Sequence, residues 1–445
     1  MTLAALLLTL ATVVVSAPPQ QDRLIIEILG DLRPLKMAVA DVRENYRAGS
    51  KPTAPLAATF NDVLWKDLAN SGLFTMVSKS LYPKELPGGP VDLPAPKLEL
   101  WKAPPVEAQM LVFGNLTTTA DRLSVEGYLF DPGNTSQPMV LGKRYADQAD
   151  DVAARAIAHR FADEIIAKLG GGIPGISSSR IYFVSNRSGN KEIWTMDYDG
   201  ANQKALTHYN SITRDPSVTL DGSKLAYTSY VSGNPDIYVQ ALDTGRRLPF
   251  RSQKGLNATP SWSPDGTKVA FCAAYPGDTE LFVGDAGGGN LRRLTNSRGV
   301  DIEPAWNPKT GSQIAFVSGR GGLPQIYLMD SDGSNVRRLT AGTGEAVNPA
   351  WSPNGQVLAF AWTRGFAPGN YNIFVMDVAS GRLVQLTHGE GRNEHPSWAP
   401  DGRHLVFESS RGGRNKQIYT MLVDGSQVRA LTSAGFNEAP VWGAR

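Results

Sequence analysis

The side chains able to do chemistry are few and scattered along the chain. Histidine occurs at His159, His208, His388, His395 and His404, and no two of these form the His-Glu-x-x-His spacing that holds zinc on one helical face. The lone Cys272 excludes an intrachain disulfide framework and any paired-thiol metal site. Glycine-rich stretches at 170–172 and 287–289 lack the Lys-Ser/Thr of a phosphate-cradling loop and read as linker and turn. No Gly-x-Ser-x-Gly elbow is present to expose a serine nucleophile. The Ser-Pro-Asp-Gly turn at 263–266 looks like a sialidase Asp box, but the Trp that should follow the glycine is missing and no arginine triad accompanies it. A protein without catalytic residues, cofactor or resident metal is the reading these residues support.

Bulk properties narrow the partners. A net charge of +2 over 445 residues is too small a bias to point to nucleic acid. Residues 1–17 form an apolar run ending in Val15-Ser16-Ala17, the length and small-residue ending of an export signal cleaved after Ala17. The run is short for a bilayer span, and no other stretch is apolar enough to be one. An exported, soluble, monomeric binding protein is expected.

Any binding surface must be built by two parts with different patterning. In residues 18–169, positions 24–28 and 35–39 read as short strands. Residues 56–71 place Leu56, Phe60, Val63, Leu64 and Leu68 on one helical face, and Asn70-Ser71-Gly72 stops that helix. A Pro/Gly-rich loop is read over 83–105, paired strands over 109–113 and 123–129, and an amphipathic helix over 152–169. This is an α+β domain, and the linker at 170–179 ends it.

From Arg180 to the end the chain repeats. Pro-x-Trp-(Ser/Asn/Ala)-Pro-(Asp/Asn)-Gly begins at Pro260, Pro349 and Pro396, with a close copy at Pro304, a degraded one at Pro216 and a truncated one at Pro440. Successive prolines lie 44, 44, 45, 47 and 44 residues apart. An apolar triplet such as Val269-Ala270-Phe271, an Ile-aromatic pair such as Ile326-Tyr327 and a closing Leu-Thr pair such as Leu339-Thr340 follow in most units. Four short strands per repeat of about this length make a propeller blade, with Asp-Gly supplying the tight hairpin turn. The tryptophans read as wedges between blades. The first unit lacks an opening Pro-x-Trp and the last motif lacks following strands, so the C-terminal strand should complete the blade opened at Ile181. The expected architecture is an N-terminal α+β domain followed by an all-β six-bladed propeller over 180–445, closed by the C-terminal strand.

Residues just before each Pro-x-Trp are equivalent and should ring one mouth of the central channel: Arg214-Asp215, Ala258-Thr259, Ile302-Glu303, Val347-Asn348, Glu394-His395 and Glu438-Ala439. Mixed carboxylates, amides and apolar groups suit protein recognition. Leu256 and Ile302 are apolar at positions that the repeat does not need for its core, so Leu256, Thr259, Ile302 and Glu303 are expected to form one exposed patch.

Arg33-Pro34-Leu35 entering a strand, Asp67-Leu-Ala-Asn-Ser-Gly-Leu-Phe74 at a helix end and Tyr198-Asp-Gly-Ala-Asn-Gln203 in the first blade resemble the TolB family, periplasmic propeller proteins of the bacterial Tol–Pal envelope system. The resemblance covers the mature chain in domain order and blade number. It implies a non-catalytic periplasmic scaffold that acts in outer-membrane integrity and constriction at division. By position, a Pal-like lipoprotein would meet Leu256, Asn257, Ala258, Thr259, Asp301, Ile302 and Glu303, together with the ring residues Asn348 and His395. A TolA-like inner-membrane-anchored protein would meet residues 22–31, chiefly Asp22, Arg23, Leu24, Ile25, Ile26 and Glu27, by strand addition. Two other classes compete with this one. A propeller binding carbohydrate would repeat an exposed aromatic at one mouth, and a propeller hydrolase would converge a His/Asp/Ser set; the ring residues show neither.

Overall fold

The computed structural model describes residues 24–25, 27–28, 33–45, 52–250, 254–274 and 278–443. The expected export signal, and Asp22, Arg23 and Ile26 of the N-terminal segment, lie outside these. No helix among the described residues is long and apolar enough to cross a membrane.

The N-terminal domain is a twisted mixed sheet between two helical layers. Strand β1 (Leu35–Val39) runs parallel to β3 (Phe74–Met76) and β4 (Met110–Thr119), and β2 (Arg43–Asn45) pairs with the far end of β4. Antiparallel pairing then adds β5 (Arg122–Phe130) and β6 (Met139–Gln148). Helices α1 (Ala54–Asn70) and α3 (Asp151–Leu169) cover one face, where Phe60, Leu64 and Leu68 meet Ile157, Phe161 and Ile165. The Asp150 carboxylate caps α3 by accepting from Ala153 N at 2.8 Å, which fixes where that helix begins.

The other face corrects the expected loop at 83–105. It contains the short helix α2 (Ala95–Lys102), whose Leu98 and Trp101 are buried against Phe113 and Phe130. Pro96 sits in its first turn, where a missing N–H costs nothing.

The expected strand at 24–28 is also corrected. Leu24, Ile25, Glu27 and Ile28 lie in a helical turn. Helical spacing aims Leu24 into the groove between the fifth and sixth blades, where it is buried against Val375, Val384, Trp398 and Met421, with Ile25 and Ile28 packed alongside. Glu27 Oε1 accepts from Arg382 Nη1 at 2.9 Å, and the second oxygen takes the other guanidinium nitrogen.

Six four-stranded antiparallel sheets make the propeller. The innermost strands of blades two to six are Thr213–Val218, Asn257–Trp262, Asp301–Trp306, Ala346–Trp351 and Asn393–Trp398. Blade one opens with Arg180–Ser185 and takes its innermost strand from the end of the chain, Asn437–Gly443, with Trp442 opposite Ile181 and Asn437 opposite Ser185. Outermost strands are only two or three residues long, which blunts the sheet edges.

The motifs acquire physical roles here. The indole N–H of Trp262, Trp351 and Trp398 donates to the backbone oxygens of Ser217, Ala305 and Ala350 in the preceding blade, at 3.0–3.1 Å. Each tryptophan therefore fills an inter-blade wedge and spends its donor there. Trp306 departs from this pattern, donating to Gly311 O in its own longer turn at 2.7 Å. The Leu-Thr pair is a hook. Thr207, Thr295, Thr340, Thr387 and Thr432 each accept from the backbone N–H of the third strand's Ile or Leu at 2.9 Å, and each hydroxyl donates to the residue before it, as Thr340 does to Gln325.

Candidate functional site

The inner strands carry an unusual backbone at one shared position. Asp215, Thr259, Glu303, Asn348, His395 and Ala439, each immediately before a proline, have φ between 47° and 55°. Non-glycine residues avoid that region, and a residue before proline normally sits in the extended one. In every blade the register with the second strand shifts at this point, so the residue occupies a β-bulge and is turned into the channel. The following proline has no N–H to be orphaned by the bulge.

What offsets the strain is a chain of hydrogen bonds running around the throat. Glu303 N donates to Thr259 Oγ1 at 3.3 Å, Asn348 N to Glu303 Oε2 at 2.7 Å, and His395 N to Asn348 Oδ1 at 3.3 Å. Each link crosses from one blade to the next. Asn348 Nδ2 also reaches Glu303 Oε2 at 3.0 Å and lies 3.2 Å from His395 Nε2. His395 cannot extend the same pattern, and Glu408 of blade six does so instead, accepting from Ala439 N at 2.6 Å while lying 3.3 Å from His395 Nδ1.

Charge in the throat is balanced by these neighbours. Burial opposes protonation of His395, but the carboxylates of Glu408, Glu303 and Glu394 outweigh it and raise its pKa to about 9. Burial likewise pushes the Glu303 carboxyl up, against the pull of His395. Glu408 is held well below the usual carboxylate range: burial opposes this, but His395 and Lys416 prevail.

The residues expected to meet a partner are thereby divided. Thr259, Glu303, Asn348 and His395 come together in the throat and engage one another. Asn257 and Asp301 are buried at the starts of inner strands, where Asn257 Nδ2 donates to Asp236 at 3.0 Å and Asp301 accepts from Arg320 Nη2 at 2.9 Å. Leu256, Ala258 and Ile302 are half-buried on one core cluster around Phe316 and Leu281. Ile302 belongs to the inner strand, paired with Val317, so it is not the free loop side chain expected from the repeat. The four residues expected in one exposed patch thus separate into a throat pair and a packed pair.

Exposed apolar groups lie elsewhere on the same mouth, where inner strands begin and second strands end. Ile212, Tyr230 and Val231 belong to blade two, and Val300 and Leu323 to blade four, with exposures of 36–55%. Backbone bonds place Tyr230 beside Ile212 and Gly319 beside Val300. Lys254 and Arg298 are exposed on this side as well. Sequence reasoning passed over these five; their signal is an apolar residue in a loop otherwise built of Gly, Ser and Asn.

The opposite side of blades one and six holds the N-terminal domain. Asp67 of α1 accepts from Tyr198 Oη of blade one at 2.6 Å and lies 2.7 Å from His159 Nδ1 of α3. His404 of blade six bridges Asp401 at 2.6 Å and the Asn70 backbone oxygen at 2.9 Å. His159, Asp197 and Asp199 are close enough to share a cation. The Arg155 guanidinium already lies 2.7 Å from Asp199 and 3.8 Å from Asp197, supplying the positive charge itself.

Similarity to known proteins follows the same two parts. The amino-terminal domain model of TolB matches residues 24–137, and the TolB β-propeller domain model matches residues 167–361 and 341–445. The Tol-Pal system protein TolB of Syntrophotalea carbinolica is 35% identical over 188 residues, 42% of this chain and 41% of that protein. That of Cereibacter sphaeroides is 33% identical over 232 residues, 50% and 49% of the two chains. The chain spans half the length or less of these curated relatives. The crystal structure of TolB from Acinetobacter baumannii superposes with a TM-score of 0.77 at 28% identity, covering 93% of this chain and 97% of that one. With both domains matched in order and the propeller model covering more than half of its residues, the chain belongs to the TolB family.

Proposed function

We propose that the protein is a non-catalytic periplasmic scaffold of the Tol–Pal envelope system, serving outer-membrane integrity and constriction at cell division. It binds a Pal-like lipoprotein at the mouth where the inner strands begin. The observation that carries this reading is the exposed apolar set Ile212, Tyr230, Val231, Val300 and Leu323, flanked by the cationic Lys254 and Arg298. Exposed apolar groups on one mouth with charged residues beside them have the composition of a protein interface. Non-catalytic character is supported by the histidines: His159, His395 and His404 each lie against a carboxylate, that of Asp67, Glu408 and Asp401 respectively, and none is paired with a serine or cysteine nucleophile among the described residues.

The TolA-like partner is assigned to the N-terminal segment. Leu24 is buried between blades and Glu27 is paired with Arg382, so strand addition to another protein requires the segment to leave this seat first. Calorimetry with the periplasmic domain of a Pal-like lipoprotein tests the main assignment. A saturable 1:1 complex that Tyr230→Asp and Leu323→Asp weaken is expected; no complex at about 100 µM of each protein, a concentration on the order of a weak encounter, would overturn it.

A further inference from the structure

The mouth at which the inner strands end is unlike the one assigned to the lipoprotein. It opens into a funnel of about 410 Å³, within the size range of small-molecule sites. Its wall repeats with the blades. Blade three contributes Pro260, the edge of Trp262 and Pro264, and the equivalent residues of the other blades continue the ring. At the rim, where four blades place a proline, blade two places Leu220, which is 52% exposed.

This wall is short of hydrogen-bond donors for a chemical reason. Proline has no N–H. The indole N–H groups of Trp262, Trp306, Trp351 and Trp398 are all spent on backbone oxygens. The side-chain donors left in the wall are the neutral hydroxyls of Ser217, Ser261 and Ser397, and no lysine or arginine lines it to attract an anion. The floor is the throat ring, where the carboxylates of Asp215 and Glu303 stand beside the cationic Arg214 and His395. Asp215 Oδ1 accepts from Arg214 Nε at 3.0 Å and Glu303 Oε2 accepts from Asn348, but Asp215 Oδ2 and Glu303 Oε1 accept no hydrogen bond among the described residues. Two carboxylate oxygens therefore remain without a donor at the bottom of a largely apolar cup.

We propose that this funnel is a second binding site, for a small organic cation with one ammonium head and a hydrocarbon body. The head lies against Asp215 and Glu303, and the body lies on the proline and tryptophan wall. The site does not depend on the lipoprotein assignment above, because it faces the other way.

The test titrates the full chain with 4-phenylbutylammonium, following heat and tryptophan emission, with 4-phenylbutanol and 4-phenylbutyrate as neutral and anionic counterparts. The ammonium compound is expected to bind at least tenfold more tightly than the alcohol, and the carboxylate more weakly than either. Asp215→Asn, which keeps an oxygen to accept from Arg214 and touches none of the bonds that link one blade to the next, should reduce the affinity for the ammonium compound about tenfold. Leu220→Lys, at an exposed rim position, should weaken it without moving the melting temperature, and it decides the matter if Asp215→Asn does not fold. Equal binding of alcohol and ammonium compound, no binding of either, or wild-type affinity in the folded variants would overturn the proposal.

Discussion

Across the seam between blades four and five, the backbone N–H of Asn348 donates to Oε2 of Glu303 at 2.7 Å. The bond joins two residues that both hold positive φ, so it ties together the strained point of one blade and that of the next. Left-handed backbone at a non-glycine residue costs on the order of 1–3 kcal/mol, and such positions persist where surrounding bonds determine them. Glu303→Ala is therefore expected to leave the Asn348 N–H and amide without their acceptor and to destabilise the propeller by about 1–3 kcal/mol. Glu303→Gln keeps an acceptor and should cost less. Urea denaturation of the two variants checks this, and equal midpoints for Ala and Gln would show that the bond contributes nothing.

Protonation of His395 gives the throat a definite pH dependence. Its folded pKa is about 9, above the ordinary imidazole value, because the carboxylates of Glu408, Glu303 and Glu394 outweigh its burial, while Lys416 is paired with Glu408 and Glu394. The folded state then holds more protons than the unfolded state between roughly pH 6.5 and 9. The stabilisation is fully present below that window and lost as pH rises through it. Glu303, whose folded pKa is also raised, acts with the same sign at lower pH. Wild-type stability should fall by on the order of 2 kcal/mol across the window, a figure reduced for the partial exposure of the ring. His395→Gln should flatten that part of the profile, and thermal melts at half-unit pH steps would reveal whether it does.

Ring closure rests on a short piece of chain. Asn437–Gly443 supplies the innermost strand of blade one, and Trp442 Nε1 donates to Ser179 Oγ at 2.8 Å at the start of that blade. Removing residues 438–445 would expose an inner strand edge and empty the indole wedge. The truncated protein should lose its cooperative transition or melt far lower. A truncation that melts like the full chain would contradict the closure.

The propeller was legible in the sequence because each blade spells the same four strands with the same turn residues, and an error in one unit is corrected by the others. The throat was not, since nothing in the residue types of Thr259, Glu303 or His395 marks a left-handed bulge; only their shared place before proline does. Leu24–Ile28 failed for a different reason. A short apolar run fits strand and helix alike, and the groove between blades five and six decides for the helix. Pro94 and Pro96 read as loop because they stand at the cap and first turn of α2, where proline is compatible with helix. Exposed β6, with Lys143 and Arg144 at its middle, lacks the alternation that announces a half-buried strand.

The mouth makes the sharpest demand on the proposed function, because two groups of residues predict different outcomes. Leu256 and Ile302 are half-buried on the cluster between blades three and four, so an aspartate at either place meets apolar neighbours before it meets a partner. Leu256→Asp and Ile302→Asp should therefore cost about 1–3 kcal/mol of stability, and any loss of binding would be mixed with that defect. Tyr230 and Leu323 are exposed, on blades two and four, and belong to none of the core clusters. Tyr230→Asp and Leu323→Asp should leave the melting temperature within a degree or so, since surface substitutions seldom shift stability by more than about 0.5 kcal/mol. If they anchor a Pal-like partner, each should weaken binding by about 2 kcal/mol, roughly thirtyfold. Calorimetry and melting curves on all four variants separate the two effects. Wild-type affinity in Tyr230→Asp and Leu323→Asp would move the partner off blades two and four and leave the lipoprotein assignment without its supporting surface.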